Sequence, residues 1–218
     1  MTTRRWVVSS VRAFTAAAVV SLCSCDGGGG GGGAGSSNHD FGSNDPNVCV
    51  AMGDSITLGA NQPYPSWPPR LASMIGKTVI NAASVGEMAS TAAARTGGVL
   101  ARWKPGYLLI MHGINEMRAG NAAAGVEGVR SMVQQAKANQ TIPIVATYYL
   151  MTGESANLNP GIQDLDRQLK AMASEEDVTL VNLESAFGSD ESLLYMPEGF
   201  HPSDAGTQII AQEFANRL

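Results

Sequence analysis

The sequence predicts an α/β fold built on a parallel sheet of five strands, and three observations carry that expectation. Five apolar, strand-like runs recur at a roughly constant interval: Val48–Met52, Thr78–Ala82, Tyr107–Met111, Ile142–Tyr149 and Val178–Leu183. Between them lie segments with helical spacing of apolar residues. The first run, Val48-Cys49-Val50-Ala51-Met52, is apolar at every position, as a strand buried on both faces requires. Strand and helix alternating in this way imply right-handed crossovers and a sheet covered by helices on both sides. Five strands with this rhythm suit the order 2-1-3-4-5, with a ligand crevice at the carboxyl ends of strands 1 and 3.

Taken in order, the chain of 218 residues is long enough for one well-buried domain. Residues 1–24 carry Arg4, Arg5 and Arg12 ahead of a short apolar segment, Ala13 to Leu22. That segment is too short to span a bilayer and reads as a secretory signal. It ends in Leu22-Cys23-Ser24-Cys25, which resembles a bacterial lipobox and implies cleavage before Cys25 and acylation of its thiol. Seven glycines, Gly27 to Gly33, follow, and residues 25–46 are expected to form a flexible tether. Cys49 is then the one thiol left, read as a small core hydrophobe.

The formal net charge of −5 becomes −8 once the three arginines of residues 1–24 are removed with the signal. An acidic domain without a basic run argues against nucleic-acid binding, and assigns membrane attachment to the lipid on Cys25. From residue 47 to 218 one domain is expected, without internal repeat and as a monomer. Its clearest helical segments are Ala122–Asn139, Ile162–Ser174 and Asp204–Leu218, each with one apolar face.

Four short stretches follow strand-like runs. After Met52 come Gly53-Asp54-Ser55-Ile56-Thr57; after the second run, Ala83-Ser84-Val85-Gly86; after Met111, His112-Gly113-Ile114-Asn115-Glu116. The last, beyond Pro197, is Glu198-Gly199-Phe200-His201-Pro202. Together they resemble, in order, the four blocks of the SGNH, or GDSL-type, hydrolases, over residues 47–218. Two positions depart from that pattern: Glu198 stands where the family has aspartate, and Glu116 replaces the second acidic residue of the third block. The resemblance implies the flavodoxin-like three-layer fold with strand order 2-1-3-4-5. It also implies a serine esterase with Ser55 as nucleophile, His201 as base and Glu198 as the acid behind it. Oxyanion donors would be the N–H groups of Ser55 and Gly86 and the side chain of Asn115.

The chemistry fits these residue types. A serine hydroxyl attacks only when a base takes its proton, and an imidazole serves only when an acid fixes its tautomer. Asp204 is a fallback acid, otherwise a cap of the last helix. His112, ending a strand beside the site, is either a rival base or a packed histidine. Asn61–Pro69, with Tyr64 and Trp67, and Tyr148-Tyr149-Leu150-Met151 are candidate pocket walls or packing. No metal or cofactor motif is present, and the expected partner is a small-molecule ester of short-to-medium acyl chain or a lysophospholipid. Deacetylation of a glycan is the rival within the enzyme class. A surface lipoprotein that binds an acylated ligand without turnover is the rival outside it.

Overall fold

A computed structural model describes residues 39–60 and 62–218; the signal, Cys25 and the glycine run lie outside the described residues. The strands are β1 (Asp45–Gly53), β2 (Thr78–Asn81), β3 (Pro105–Met111), β4 (Ile142–Ala146) and β5 (Thr179–Val181). All pair in parallel in the order β2-β1-β3-β4-β5. The helices are α1 (Ser55–Leu58), α2 (Trp67–Ile75), α3 (Ala89–Trp103), α4 (Ile114–Arg118), α5 (Ala122–Ala138), α6 (Asn159–Glu175), α7 (Leu183–Phe187) and α8 (Asp204–Ala215). α3, α5 and α6 pack side by side on one face of the sheet, and α2 and α8 pack together on the other. The expected three-layer arrangement and strand order are those found.

The apolar runs become strands because both faces are covered. Cys49, Val50, Ala51 and Met52 in β1 and Leu108 to Met111 in β3 are fully buried. Burial pushes the Cys49 thiol up to about 11, so it is a protonated core side chain. The apolar face expected on α5 is the buried one: Val126, Val129, Met132, Val133 and Ala136 all lie in the core. Each of these valines and the methionine contributes about 1.5–3 kcal/mol by leaving water.

The expected boundaries shift at the start of the domain and in β4. The folded unit starts at His39, not at residue 47, because residues 39–46 are tied down. His39 lies 3.2 Å from the Gln140 carbonyl, Asn44 donates to Asn139 O at 2.6 Å, and Phe41 packs on Tyr107. His39, expected in the tether, is thus part of the fold. β4 ends at Ala146 instead of Tyr149. Thr147 N–H still reaches Val181 O, but Tyr148 N–H turns away to donate to Asp166 Oδ1 at 2.8 Å. Tyr148 and Tyr149 are fully buried, with their hydroxyls donated to Asp54 and to the Phe200 carbonyl, so neither is the pocket wall considered from sequence. Trp67 is likewise core, stacked on Phe214 at 4.5 Å.

Asp166, buried in α6, carries a testable consequence. Its Oδ2 has no hydrogen-bond partner among the described residues, and burial pushes its carboxyl from 3.8 up to about 7. A carboxyl raised in the folded state binds its proton more tightly there than when unfolded, so folding stability falls as pH rises from about 4 to about 7. Asp166→Asn keeps an acceptor for Tyr148 N–H and cannot ionise. The variant is therefore expected to gain stability over the parent by ~2–3 kcal/mol more at pH 8 than at pH 5. Urea denaturation of both proteins at the two pH values measures this; equal differences would refute it.

Candidate active site

The carboxyl ends of β1 and β3 lie side by side, with Gly53 paired to Met111, and the chains leaving them define one crevice. At the end of β1 the turn into α1 needs glycine at position 53. A Cβ there would stand 2.0 Å from Thr57 Oγ1 and 3.0 Å from Met111 O. Asp54 caps α1, accepting from Ile56 N–H at 2.9 Å, while its other oxygen accepts from Tyr148 Oη at 3.3 Å. Burial raises the Asp54 carboxyl to about 6. This rigid, buried cap leaves Ser55 as the first residue of α1, where a backbone N–H has no acceptor within the helix.

The imidazole of His201 meets that serine. His201 Nε2 is 3.1 Å from Ser55 Oγ. On the ring's other side, Nδ1 lies 2.8 and 3.0 Å from the two oxygens of Glu198. With Nδ1–H donated to the carboxylate, Nε2 is left as the acceptor for the serine hydroxyl. The extra methylene of Glu198 is absorbed by a tight loop. Gly199, at φ +65°, lies so close to Thr152 that a Cβ would be 2.0 Å from its carbonyl oxygen. The loop is closed further by Gly199 N–H to Tyr195 O and Tyr195 N–H to His201 O, at 2.8 and 2.9 Å.

Asp204, the alternative acid, does not face the imidazole. Its side chain is 65% exposed and pairs with Arg70 of α2. Nor does it cap α8: Ser203 is the cap, with its hydroxyl accepting from Gly206 N–H at 3.2 Å.

The second and third loops lie together beside the serine turn. Ser84 N–H donates to Gly53 O at 3.1 Å, anchoring the β2 loop beside the serine turn. Asn115, in the first turn of α4, donates from Nδ2 to the Glu87 carbonyl at 3.0 Å, next to Gly86. One hydrogen of that amide remains for a ligand. Gly86 is exposed at φ +67°.

Several supports of this cluster were not visible in the sequence. Arg95 of α3 grips the Glu87 carboxylate with two bonds, 2.6 and 2.5 Å, and donates to Ala82 O at 2.7 Å. One guanidinium thus holds both ends of the Gly86 loop. Glu116 is buried, and its Oε1 accepts from Ser90 N–H at 3.3 Å. It supplies a carboxylate to the start of α3, whose cap residue, Met88, has no side-chain bond to offer. The substitution in the third block therefore ties α4 to α3. In the sequence Glu116 stood out only as a departure from the third block, and Arg95 only as an arginine within an Ala- and Gly-rich stretch.

His112 is 1% exposed and neither ring nitrogen makes a hydrogen bond among the described residues, although Nε2 lies 3.6 Å from the Glu87 carboxylate, which Arg95 already holds. Burial and the nearby Arg95 charge push its pKa down to about 3, so it is neutral packing and not a second base. Among the described residues no three His, Cys, Asp or Glu side chains converge as a metal site, and no helix is long and apolar enough to cross a membrane.

Residues 51–209 match the profile of the GDSL-like Lipase/Acylhydrolase family. No curated protein matches the chain. Among solved structures, a lipolytic protein of the G-D-S-L family from Desulfitobacterium hafniense superposes with TM-score 0.69 at 23% identity, covering 79% of this chain and 99% of that one. TesA gives TM-score 0.65 at 22% identity, over 76% and 94% of the two chains. A catalytic mutant of an acetylxylan esterase from Geobacillus stearothermophilus gives 0.65 at 21%, over 78% and 92%.

Proposed function

The chain belongs to the GDSL-like lipase/acylhydrolase family, a carboxylic ester hydrolase by class, and on that premise we propose that it cleaves short-to-medium acyl esters through Ser55, His201 and Glu198. The observation that carries this reading is the unbroken relay from Glu198 through both ring nitrogens of His201 to Ser55 Oγ, in steps of 2.8 and 3.1 Å. His201 takes the serine proton as Oγ bonds to the ester carbonyl carbon. The carbonyl oxygen then carries the negative charge, and the N–H groups of Ser55 and Gly86 and the Asn115 amide receive it. Breakdown of this intermediate expels the alcohol, which takes its proton from His201. Water then repeats the sequence against the acyl-enzyme.

Labelling with a fluorophosphonate probe tests the reading directly. A hydrolase with an activated serine is modified at Ser55, whereas a protein that binds an acylated ligand without turnover is not. An ester panel of graded chain length, with p-nitrophenyl acetate at its short end, then sets the acyl preference. The similarity in fold to an acetylxylan esterase keeps acetylated glycans in the panel as a second substrate class.

The N-terminal sequence supports a further element of the proposal: export, and anchoring to the cell envelope by acylation of Cys25. Cells fed labelled palmitate are expected to transfer it to the protein and not to Cys25→Ala. Labelling of both forms alike would refute the anchor.

A further inference from the structure

Two adjacent tyrosines leave the end of β4 for different loops, and each hydroxyl stops one residue short of a member of the catalytic pair. Tyr148 Oη donates to Asp54 Oδ2 at 3.3 Å, and Asp54 immediately precedes Ser55. Tyr149 Oη donates to the Phe200 carbonyl at 3.1 Å, and Phe200 immediately precedes His201. Ser55 and His201 are 146 residues apart along the chain. One dipeptide nonetheless touches the backbone neighbour of both.

The dipeptide is itself held in place. Both rings are fully buried. Tyr148 N–H donates to Asp166 Oδ1 at 2.8 Å, and the Tyr149 ring stacks on Phe187 of α7 with centroids 4.1 Å apart. β3 separates β4 from β1 in the sheet, so Tyr148 reaches across about 10 Å to the serine turn. There it meets the carboxylate whose other oxygen caps α1 through Ile56 N–H, at 2.9 Å. The contact therefore bears on the rotation of the turn that carries Ser55. In the histidine loop the two carbonyls after Phe200 are also held. His201 O accepts from Tyr195 N–H at 2.9 Å, and Pro202 O from Tyr64 Oη at 2.8 Å and Gln62 Nε2 at 3.4 Å. These contacts keep the loop folded, and of the donors named only Tyr149 is a fully buried continuation of a strand.

Resting on the esterase reading above, we propose that Tyr148 and Tyr149 are positioning residues that set the distance and alignment of Ser55 Oγ and His201 Nε2, here 3.1 Å apart. The proton crosses that gap as the bond from Oγ to the carbonyl carbon forms, so the step depends steeply on it. A displacement of about 1 Å can cost about 10²-fold in rate. Neither hydroxyl is open to substrate, since both are buried and already bonded within the protein. Their loss should therefore fall on kcat and not on KM.

The test uses Tyr148→Phe and Tyr149→Phe in the full-length protein, which remove each hydroxyl and keep each ring. kcat for p-nitrophenyl acetate is expressed per active site titrated with a fluorophosphonate, so that a loss of folded protein cancels. Each variant is expected to lose about tenfold or more in kcat, with KM within about twofold of the parent. Val133→Ala, in the buried face of α5, is the stability control: it should lower Tm and leave kcat per site unchanged. Asp54→Asn breaks the Tyr148 contact from its other end while keeping an oxygen for Ile56 N–H. Combined with Tyr148→Phe it should fall no further than the slower of the two single variants, because both remove one bond. Phe187→Leu frees the Tyr149 ring without touching its hydroxyl. Asp54→Asn and Phe187→Leu, each expected to lose more than about threefold per site, decide the matter where a phenylalanine variant does not fold. A kcat per site within about threefold of the parent in either phenylalanine variant, a raised KM with kcat intact, or additive losses in the double variant would each overturn the proposal. Absence of any hydrolysis by the parent would instead overturn the esterase reading itself.

Discussion

Ser55→Ala is expected to lower kcat for p-nitrophenyl acetate by about 10⁶-fold and to abolish fluorophosphonate labelling. The size follows from the geometry. Among the described residues Ser55 Oγ is the one hydroxyl bonded to His201 Nε2, so its removal ends covalent catalysis and leaves only binding and oxyanion stabilisation. His201→Ala should fall almost as far, because the hydroxyl has no other base: His112 is buried and neutral, and Asp204 is occupied by Arg70. Glu198→Gln should lose less, about 10²–10⁴-fold, towards the lower end. Its side chain is 43% exposed, so water can replace part of the lost interaction with Nδ1. Asp204→Asn, which removes one exposed ion pair, should stay within about twofold of the parent. A silent Glu198→Gln beside an inactive Asp204→Asn would reverse the assignment of the acid. Steady-state kinetics on the four variants at one pH decide the matter, with circular dichroism to confirm that each is folded.

The parts of this molecule that could be read in advance are those encoded locally. β1 and β3 announce themselves because burial on both faces demands an apolar side chain at every position. α5 and α6 do so because their apolar residues recur at helical spacing. α3 escaped notice because its buried face, apart from Leu100 near its end, is made of Ala89, Ala92, Ala93 and Thr96, which contrast little with its exposed face. α2 was hidden by Pro68 and Pro69, which look like loop residues but sit in the first turn of a helix, where a missing N–H costs nothing.

The site divides in the same way. Ser55, Gly86, Asn115, Glu198 and His201 sit within short sequence blocks whose order reflects the sheet. Arg95, Gln62 and Tyr64 act across space on the loops that carry those blocks, and no spacing along the chain discloses which carbonyl or carboxylate they reach. Tyr148 and Tyr149 were ambiguous for a related reason. Their strand-like sequence continues β4, and only the carboxylate of Asp166, brought there by α6, diverts the backbone.

The second large effect concerns the oxyanion and depends on one of those through-space contacts. Asn115→Ala is expected to reduce kcat by about 10²–10³-fold with little change in KM. The reason for the split is that the oxygen bears a full charge only in the tetrahedral intermediate, so the amide contributes mainly to the transition state. The loss should lie near the upper figure, because Asn115 has two tasks. One amide hydrogen is available to the oxyanion, while the other holds the Glu87 carbonyl at 3.0 Å. Alanine therefore removes one proposed donor and also releases the residue that follows Gly86, the other proposed donor. Arg95 still grips the Glu87 carboxylate and the Ala82 carbonyl in the variant, so the loop is expected to loosen without unfolding. The pH dependence of the residual rate should match the parent's, since neither His201 nor Glu198 is touched. A variant that kept half the parental kcat would remove Asn115 from the oxyanion site. One that raised KM tenfold with kcat intact would make it a ground-state binding residue instead.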